Sequence, residues 1–157
     1  MMFHSHMDAA LDEARAAASR GEVPVGAVIA DADGEVLARA GNRVLELKDP
    51  TAHAEMLVLR AACAQVGSER LPGTVLYVTL EPCAMCAAAI AAARVGRLVY
   101  GAPDPKSGGV AHGARVFQHP QTHHKPEVID GVGADAASAL LRDFFTERRG
   151  SRRIGRP

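Results

Sequence analysis

The 157-residue sequence has no tryptophan and only six other aromatic residues, two Tyr and four Phe. Its apolar content still reaches 48%, carried mostly by Ala and Val. A core of such small side chains suits close packing of helices on a sheet. Long hydrophobic runs are absent too. Arg94 and Arg97 interrupt the longest apolar stretch before it reaches 18 residues, so no transmembrane helix is expected. Asp8, Asp12 and Glu13 break up the N-terminal segment, which argues against a signal peptide there. Cysteine is scarce as well. Three residues, two of them spaced as Cys83-x-x-Cys86, do not make a disulfide framework and favour metal binding in a reduced, cytoplasmic setting.

Neither sign of charge is in excess, with 18 basic against 18 acidic groups. The distribution is uneven, because residues 148–157 hold five Arg and no acid, leaving 13 basic against 18 acidic groups elsewhere. An acidic body with a basic end is compatible with phosphate binding through that end, and equally with a solvated, frayed terminus. No linker, internal repeat or low-complexity stretch interrupts the body. Length and organisation predict one domain over residues 1–149 and a basic, flexible tail over 150–157.

Phe3, Met7, Ala10, Leu11, Ala14 and Ala18 recur at helical spacing and predict a first helix ending near Gly21. Val25–Ala30 and Glu35–Ala40, separated by Asp33-Gly34, read as a hairpin. Asp49 as N-cap and Pro50 at the first helical position then predict a helix running to about Val66. Thr74–Leu80 reads as a buried strand, ended by Glu81-Pro82 because the residue before proline is held extended. A helix is expected from Cys83 to about Ala93, a strand over Arg97–Gly101, and a loop over Pro103–Gly113. Lys125–Ile129 would be the last strand. Ala134–Arg148 would close the fold as a helix with Leu140, Leu141, Phe144 and Phe145 inward. Alternating strands and helices predict a three-layer α/β/α domain around one mixed, five-stranded sheet.

The pattern with the sharpest chemistry is His53-Ala54-Glu55 followed by Pro82-Cys83-Ala84-Met85-Cys86. His53, Cys83 and Cys86 are zinc-ligand types that leave a tetrahedral ion one open corner, and Glu55 is a carboxylate not needed as a ligand. Two residues three apart in a helix's first turn share a face, and the helix N-terminus favours thiolates. His53 and Glu55, two apart, would diverge by about 200° on a helix and cannot both serve one ion from it. The residues therefore divide as His53 ligand and Glu55 acid/base, with one Zn2+ per chain. Two thiolates and a neutral imidazole leave the ion formally neutral, still able to bring the pKa of water from ~15.7 towards ~7. Cys63 lies ten residues past His53, ~15 Å along a helix, and is assigned to the core. His112, His119, His123 and His124 fit no compact ligand spacing and read as a hydrated loop.

His-Ala-Glu with Pro-Cys-x-x-Cys resembles the signature of the zinc-dependent nucleobase deaminases. Within that superfamily the chain is similar to the bacterial tRNA-specific adenosine deaminases, from about Asp8 to Arg149. The particular residues are Glu22–Ala27, Gly41-Asn42-Arg43, Asp49–Glu55, Tyr77–Cys83, Tyr100-Gly101-Ala102 with Asp104 and Lys106, and Asp143-Phe144-Phe145 followed by Arg148-Arg149. The resemblance implies a cytidine deaminase-like fold. It implies deamination of the wobble adenosine of a tRNA anticodon stem-loop, an arginine tRNA first among candidates, by a cytoplasmic homodimer. Glu55 would pass protons to the purine N1 and to the leaving ammonia. Asn42 matches the residue that hydrogen-bonds the purine, Val28 an apolar wall, and Ala54 a further substrate-binding position. Asp104 and Lys106 match RNA contacts near the target base, while Phe144, Phe145 and Arg148 match the helix bordering the anticodon loop.

By themselves several of these residues read otherwise: Asn42 as a turn residue, Val28 and the phenylalanines as core, Asp104 and Lys106 as a polar loop. Pro103, Thr146-Glu147 and Gly109–Ala114 depart from the pattern, all on the expected RNA side, where arginines from Arg152 to Arg156 would compensate by holding phosphates. Two other functions remain open. One is a small-molecule deaminase acting on guanine, cytosine or a nucleotide, against which the Ala102–Gly108 loop argues. The other is a non-catalytic, zinc-stabilised RNA-binding module, against which Glu55 argues.

Overall fold

The hairpin expected from Asp33-Gly34 forms as β1 (Gly26–Ala30) and β2 (Val36–Gly41), with Gly34 in the left-handed region. The computed structural model describes residues 5–154, with the backbone alone for 151–154. The remaining strands are β3 (Val75–Leu80), β4 (Arg97–Ala102) and the short β5 (Glu127–Ile129). They complete one mixed sheet in the order β2-β1-β3-β4-β5, antiparallel on the β2-β1-β3 side and parallel across β3-β4-β5. The parallel half follows from long crossovers, the helix that joins β3 to β4 and the 103–126 segment that joins β4 to β5, because a parallel pair cannot be joined by a tight turn.

Helices α1 (Met7–Ser19) and α5 (Ala134–Ile154) cover one face of the sheet, and α3 (Ala54–Val66) and α4 (Ala84–Ala92) the other. Successive residues of β1 therefore serve different layers. Ala27 and Ile29 join Val58, Leu59 and Ile90 beneath α3 and α4, whereas Val28 and Ala30 join Met7, Leu11 and Tyr77 beneath α1. Small residues let the layers close in. A Cβ on Gly26 would lie 1.9 Å from the Ala10 carbonyl oxygen, so α1 crosses β1 at backbone contact.

Two expectations need correction, and one element is added. Asp49-Pro50 does not start the helix. The Asp49 carboxylate accepts from the amide and hydroxyl of Thr51 at 2.8 and 2.7 Å, and the Ala52 amide closes the turn onto the Asp49 carbonyl. That turn uses up the capping group, and α3 begins four residues later than Pro50 suggested, at Ala54. A one-turn helix, α2 (Val44–Leu47), was not anticipated, since four residues are too few to show periodicity. Finally, α5 continues through Ile154 instead of stopping near Arg148, so the basic end begins as helix. Phe3 and the side chains of Arg152, Arg153 and Arg156 lie outside the described residues.

Candidate metal centre and active site

Both ligand-bearing segments use the same local device. His53 precedes α3 and Cys83 precedes α4 as extended N-cap residues, with ψ of 152° and 173°. Standing outside the helix, His53 escapes the 200° conflict with Glu55, which occupies the second position of α3. Neither N-cap side chain caps its own helix. For α3 that work falls to Asn42, whose Oδ1 accepts from the Ala54 amide at 2.8 Å and leaves the His53 ring free to coordinate.

His53 Nδ1 stands 3.6 Å from Cys83 Sγ and 3.4 Å from Cys86 Sγ, and the three donor atoms lie within 4.8 Å of one another. Tetrahedral zinc, with bonds of ~2.0–2.1 Å to nitrogen and ~2.3 Å to sulfur, would separate N from S by ~3.6 Å. The two N–S separations thus match the edge of a zinc tetrahedron, with the donors at its corners. Among the described residues no other His/Cys/Asp/Glu group of three has such spacing. Cys63, on α3, is half-buried against the core, and its thiol is pushed up by burial and by Glu69. Three of the four loop histidines have separate partners: His112 binds Glu81, His124 the Val95 carbonyl, and His119 the Gln121 amide.

The electrostatics suit one ionised sulfur and a proton-carrying acid. A hydrogen bond from the Cys86 thiol, together with the His53 ring, draws Cys83 down to about 4. Cys86 moves the opposite way, raised by that same shared bond and by burial. Hydrogen bonding to Cys83 raises His53. Glu55 is 4% exposed, and burial lifts its carboxyl above the usual carboxylate range. A buried acid with a raised pKa beside a metal site is the arrangement required to take up and return protons near neutrality.

His53, Glu55 and Cys83 line a cavity of about 360 Å³. Val25, Val44, Leu45 and Leu80 supply apolar walls, and Asn42 lines the cavity too, with side-chain N–H groups that its helix bond does not use. An adjoining hollow of about 550 Å³, sharing Val23, Leu80, Asp104 and Ser107, is lined further by Lys106, Phe145 and Arg149. Asp104, Lys106, Phe145 and Arg148 thus border the two hollows. Phe144 and Phe145 differ, at 8% and 43% exposed, because neighbours on a helix are 100° apart and cannot share a face. Arg148 is anchored: its guanidinium donates to the Gly21 carbonyl and stacks 4.5 Å above the Phe144 ring.

Two expected pocket residues fall elsewhere. Val28 is fully buried under α1, on the sheet face away from the metal ligands, because strand alternation sends it there; Val25 and Val23 provide the wall instead. Ala54 is buried with its methyl in the core and its amide given to Asn42. Two residues given no role from sequence prove central to the walls. Glu22 is 2% exposed and accepts from the amides of Leu45 and Glu46, both at 3.0 Å, holding α2 at the cavity rim. Glu81, also 2% exposed, holds the opposite wall. The signal available was an acid set directly against an apolar run, Glu22-Val23 and Leu80-Glu81.

Residues 3–102 match the family described as the cytidine and deoxycytidylate deaminase zinc-binding region. The chain is 57% identical over 143 residues to a tRNA-specific adenosine deaminase of Agrobacterium fabrum, covering 91% of this chain and 93% of the relative. It superposes at TM-score 0.85, with 55% identity, on a structure from studies of A-to-I editing by tRNA:A34 deaminases at the wobble position; 88% of this chain and 100% of the other are covered. A guanine deaminase from Nitrosomonas europaea is more distant, at 25% identity and TM-score 0.78, over 92% of this chain and 86% of the other.

Proposed function

The chain belongs to the tRNA-specific adenosine deaminases, within the cytidine and deoxycytidylate deaminase zinc family, and from that membership we propose the following assignment of its residues. It is a zinc-dependent hydrolase that converts adenosine to inosine at the tRNA wobble position. His53, Cys83 and Cys86 would hold the ion. Zinc in that site supplies the Lewis acidity that activates water near neutral pH.

The reaction joins a water oxygen to C6 of adenine, breaks the bond from C6 to the exocyclic nitrogen, and releases ammonia. Glu55 takes the water's proton, gives it to N1, and supplies a proton to the departing amino group. The observation that carries this reading is the position of Glu55: buried, raised in pKa, and lining a cavity that His53 and Cys83 line as well. Asn42 orients the purine with its side-chain amide. The apolar walls exclude water from the base, which must leave its stack to enter. Asp104, Lys106, Phe145 and Arg148 border the path of the flanking RNA.

The finer partners are an arginine tRNA and a second copy of the chain, in the cytoplasm with the tRNA. Helix α4, AMCAAAIAA, is apolar on every side, yet Ala84, Ala88 and Ala92 are exposed on one stripe. A helix apolar all round is ordinarily covered, which supports an interface there. Among the described residues no helix is long and apolar enough to cross a membrane. The test is incubation with arginine tRNA, with free guanine and free adenosine as separate controls. Inosine at the wobble position is expected; deamination of free guanine with no inosine in the tRNA would contradict the assignment.

A further inference from the structure

Glu81 leaves β3 just before Pro82 and Cys83, and its side chain is wholly buried. Five N–H groups converge on its carboxylate. Oε1 accepts from the Asp104 amide at 3.1 Å and from Nδ1 of His112 at 2.7 Å. Oε2 accepts from the amides of Val110, Ala111 and His112, at 3.2, 3.1 and 3.2 Å. The segment from Asp104 to His112 is therefore wrapped around one carboxylate. Contact is close: a Cβ on Gly108 would stand 2.2 Å from Oε2, and one on Gly109 would stand 2.5 Å from the Ala84 amide nitrogen. The Gly109 amide also donates to the Pro82 carbonyl at 2.8 Å, tying the segment to the helix that carries Cys83 and Cys86. Val110 is the segment's only buried apolar side chain, so its course is set mainly by these hydrogen bonds.

The segment carries function at its other surface. Asp104 and Ser107 line the metal-side cavity, and Lys106 lines the adjoining hollow. The Asp104 carboxylate accepts from the Ser107 amide at 2.9 Å, so both follow wherever the backbone is held. Four of the five donors are main-chain amides, which any residue there would offer. The fifth, the His112 ring, is the one side chain among them. It donates Nδ1–H, since an ionised carboxylate can only accept.

We propose that Glu81 and His112 form a positioning pair, in which the buried carboxylate, closed by the imidazole, fixes the 104–112 wall in the shape that the RNA beside the target base requires. Neither residue meets the reacting atoms. The pair acts through Asp104, Lys106 and Ser107, and therefore on substrate binding in preference to the chemical step. This rests on the RNA-editing function assigned above.

Steady-state kinetics on an anticodon stem-loop RNA test it, using the full chain loaded with zinc and carrying His112→Ala or His112→Asn. The asparagine amide places an N–H where Nδ1 stands. For a hydrogen bond to a charged group, His112→Ala should raise KM roughly tenfold while kcat changes less than about twofold and zinc stays at one per chain. His112→Asn should restore KM to within about threefold of the parent. Glu81→Gln, which turns one acceptor oxygen towards N–H groups as a donor, should raise KM further than His112→Ala. An alanine variant with the parental KM overturns the proposal. So does a loss confined to kcat, or an asparagine variant as impaired as alanine. A parent enzyme inactive on this RNA would instead remove the functional assignment itself, and the proposal with it.

Discussion

Asn42 holds two duties that substitution can separate. Its Oδ1 caps α3 through the Ala54 amide, a group with no solvent exposure, and the residue also lines the cavity, where its N–H donors are assigned to the base. Asn42→Ala removes the acceptor. A lost helix cap costs ~1 kcal/mol, and leaving the donor buried and unpaired brings the cost to ~1–3 kcal/mol. For a domain of this length each kcal/mol lowers Tm by ~2–4 °C, so the alanine variant should melt ~2–12 °C below the parent. Asn42→Asp keeps an oxygen at the capping position, where the helix N-terminus favours negative charge, but loses the donor. It should melt above the alanine variant, yet lose about 10- to 100-fold in kcat/KM for want of a hydrogen bond to the base. Calorimetry and inosine formation read the two effects independently. An alanine variant with the parental Tm would refute the cap, and an aspartate variant with parental activity would refute the donor.

Gly26→Ala forces a methyl to within 1.9 Å of the Ala10 carbonyl oxygen and 2.5 Å of the Ala14 amide nitrogen, so α1 must retreat from β1. Urea unfolding should show a loss of ~3 kcal/mol or more, and a loss below ~1 kcal/mol would contradict the packing described. In the zinc-loaded protein iodoacetamide should modify Cys63 alone, slowly, because burial and Glu69 keep its thiolate scarce until the pH exceeds the ordinary range. Chelation should expose two more thiols. At pH 6 Cys83, with its pKa drawn to about 4, should then react before Cys86; three adducts formed before chelation would contradict the ligand set. Arg148→Lys keeps the charge but loses the stack on Phe144 and the fit to the Gly21 carbonyl, and should lower Tm by ~2–4 °C. An unchanged Tm would show that this anchor contributes nothing.

The proposed metal ligands were legible in the sequence because zinc chemistry restricts both residue type and spacing, so His53, Cys83 and Cys86 stand out without any structure, and the fold brings them together. The sheet was legible for a similar reason: runs such as Val75–Leu80 are buried on both faces and bounded by turn residues. What stayed hidden depends on three-dimensional parity. Val28 in β1 and Val25 just before it serve opposite sides of the sheet, and composition carries no record of that. The Asp49-Pro50 signal was real but local, satisfied by a single turn before the helix. Glu22 and Glu81 look like ordinary surface acids until the distant amides they gather, 23 to 31 residues away, are folded around them.

The central assignment is that His53, Cys83 and Cys86 hold the metal while Glu55 moves the protons. Glu55→Gln tests it most directly, with zinc content, tRNA affinity and wobble inosine measured on the same preparation. Zinc at one per chain, parental tRNA affinity and a fall in rate of at least ~10²-fold are expected, that being the ordinary scale of acid–base catalysis. Turnover that survives the substitution, or zinc lost along with the carboxylate, would contradict it.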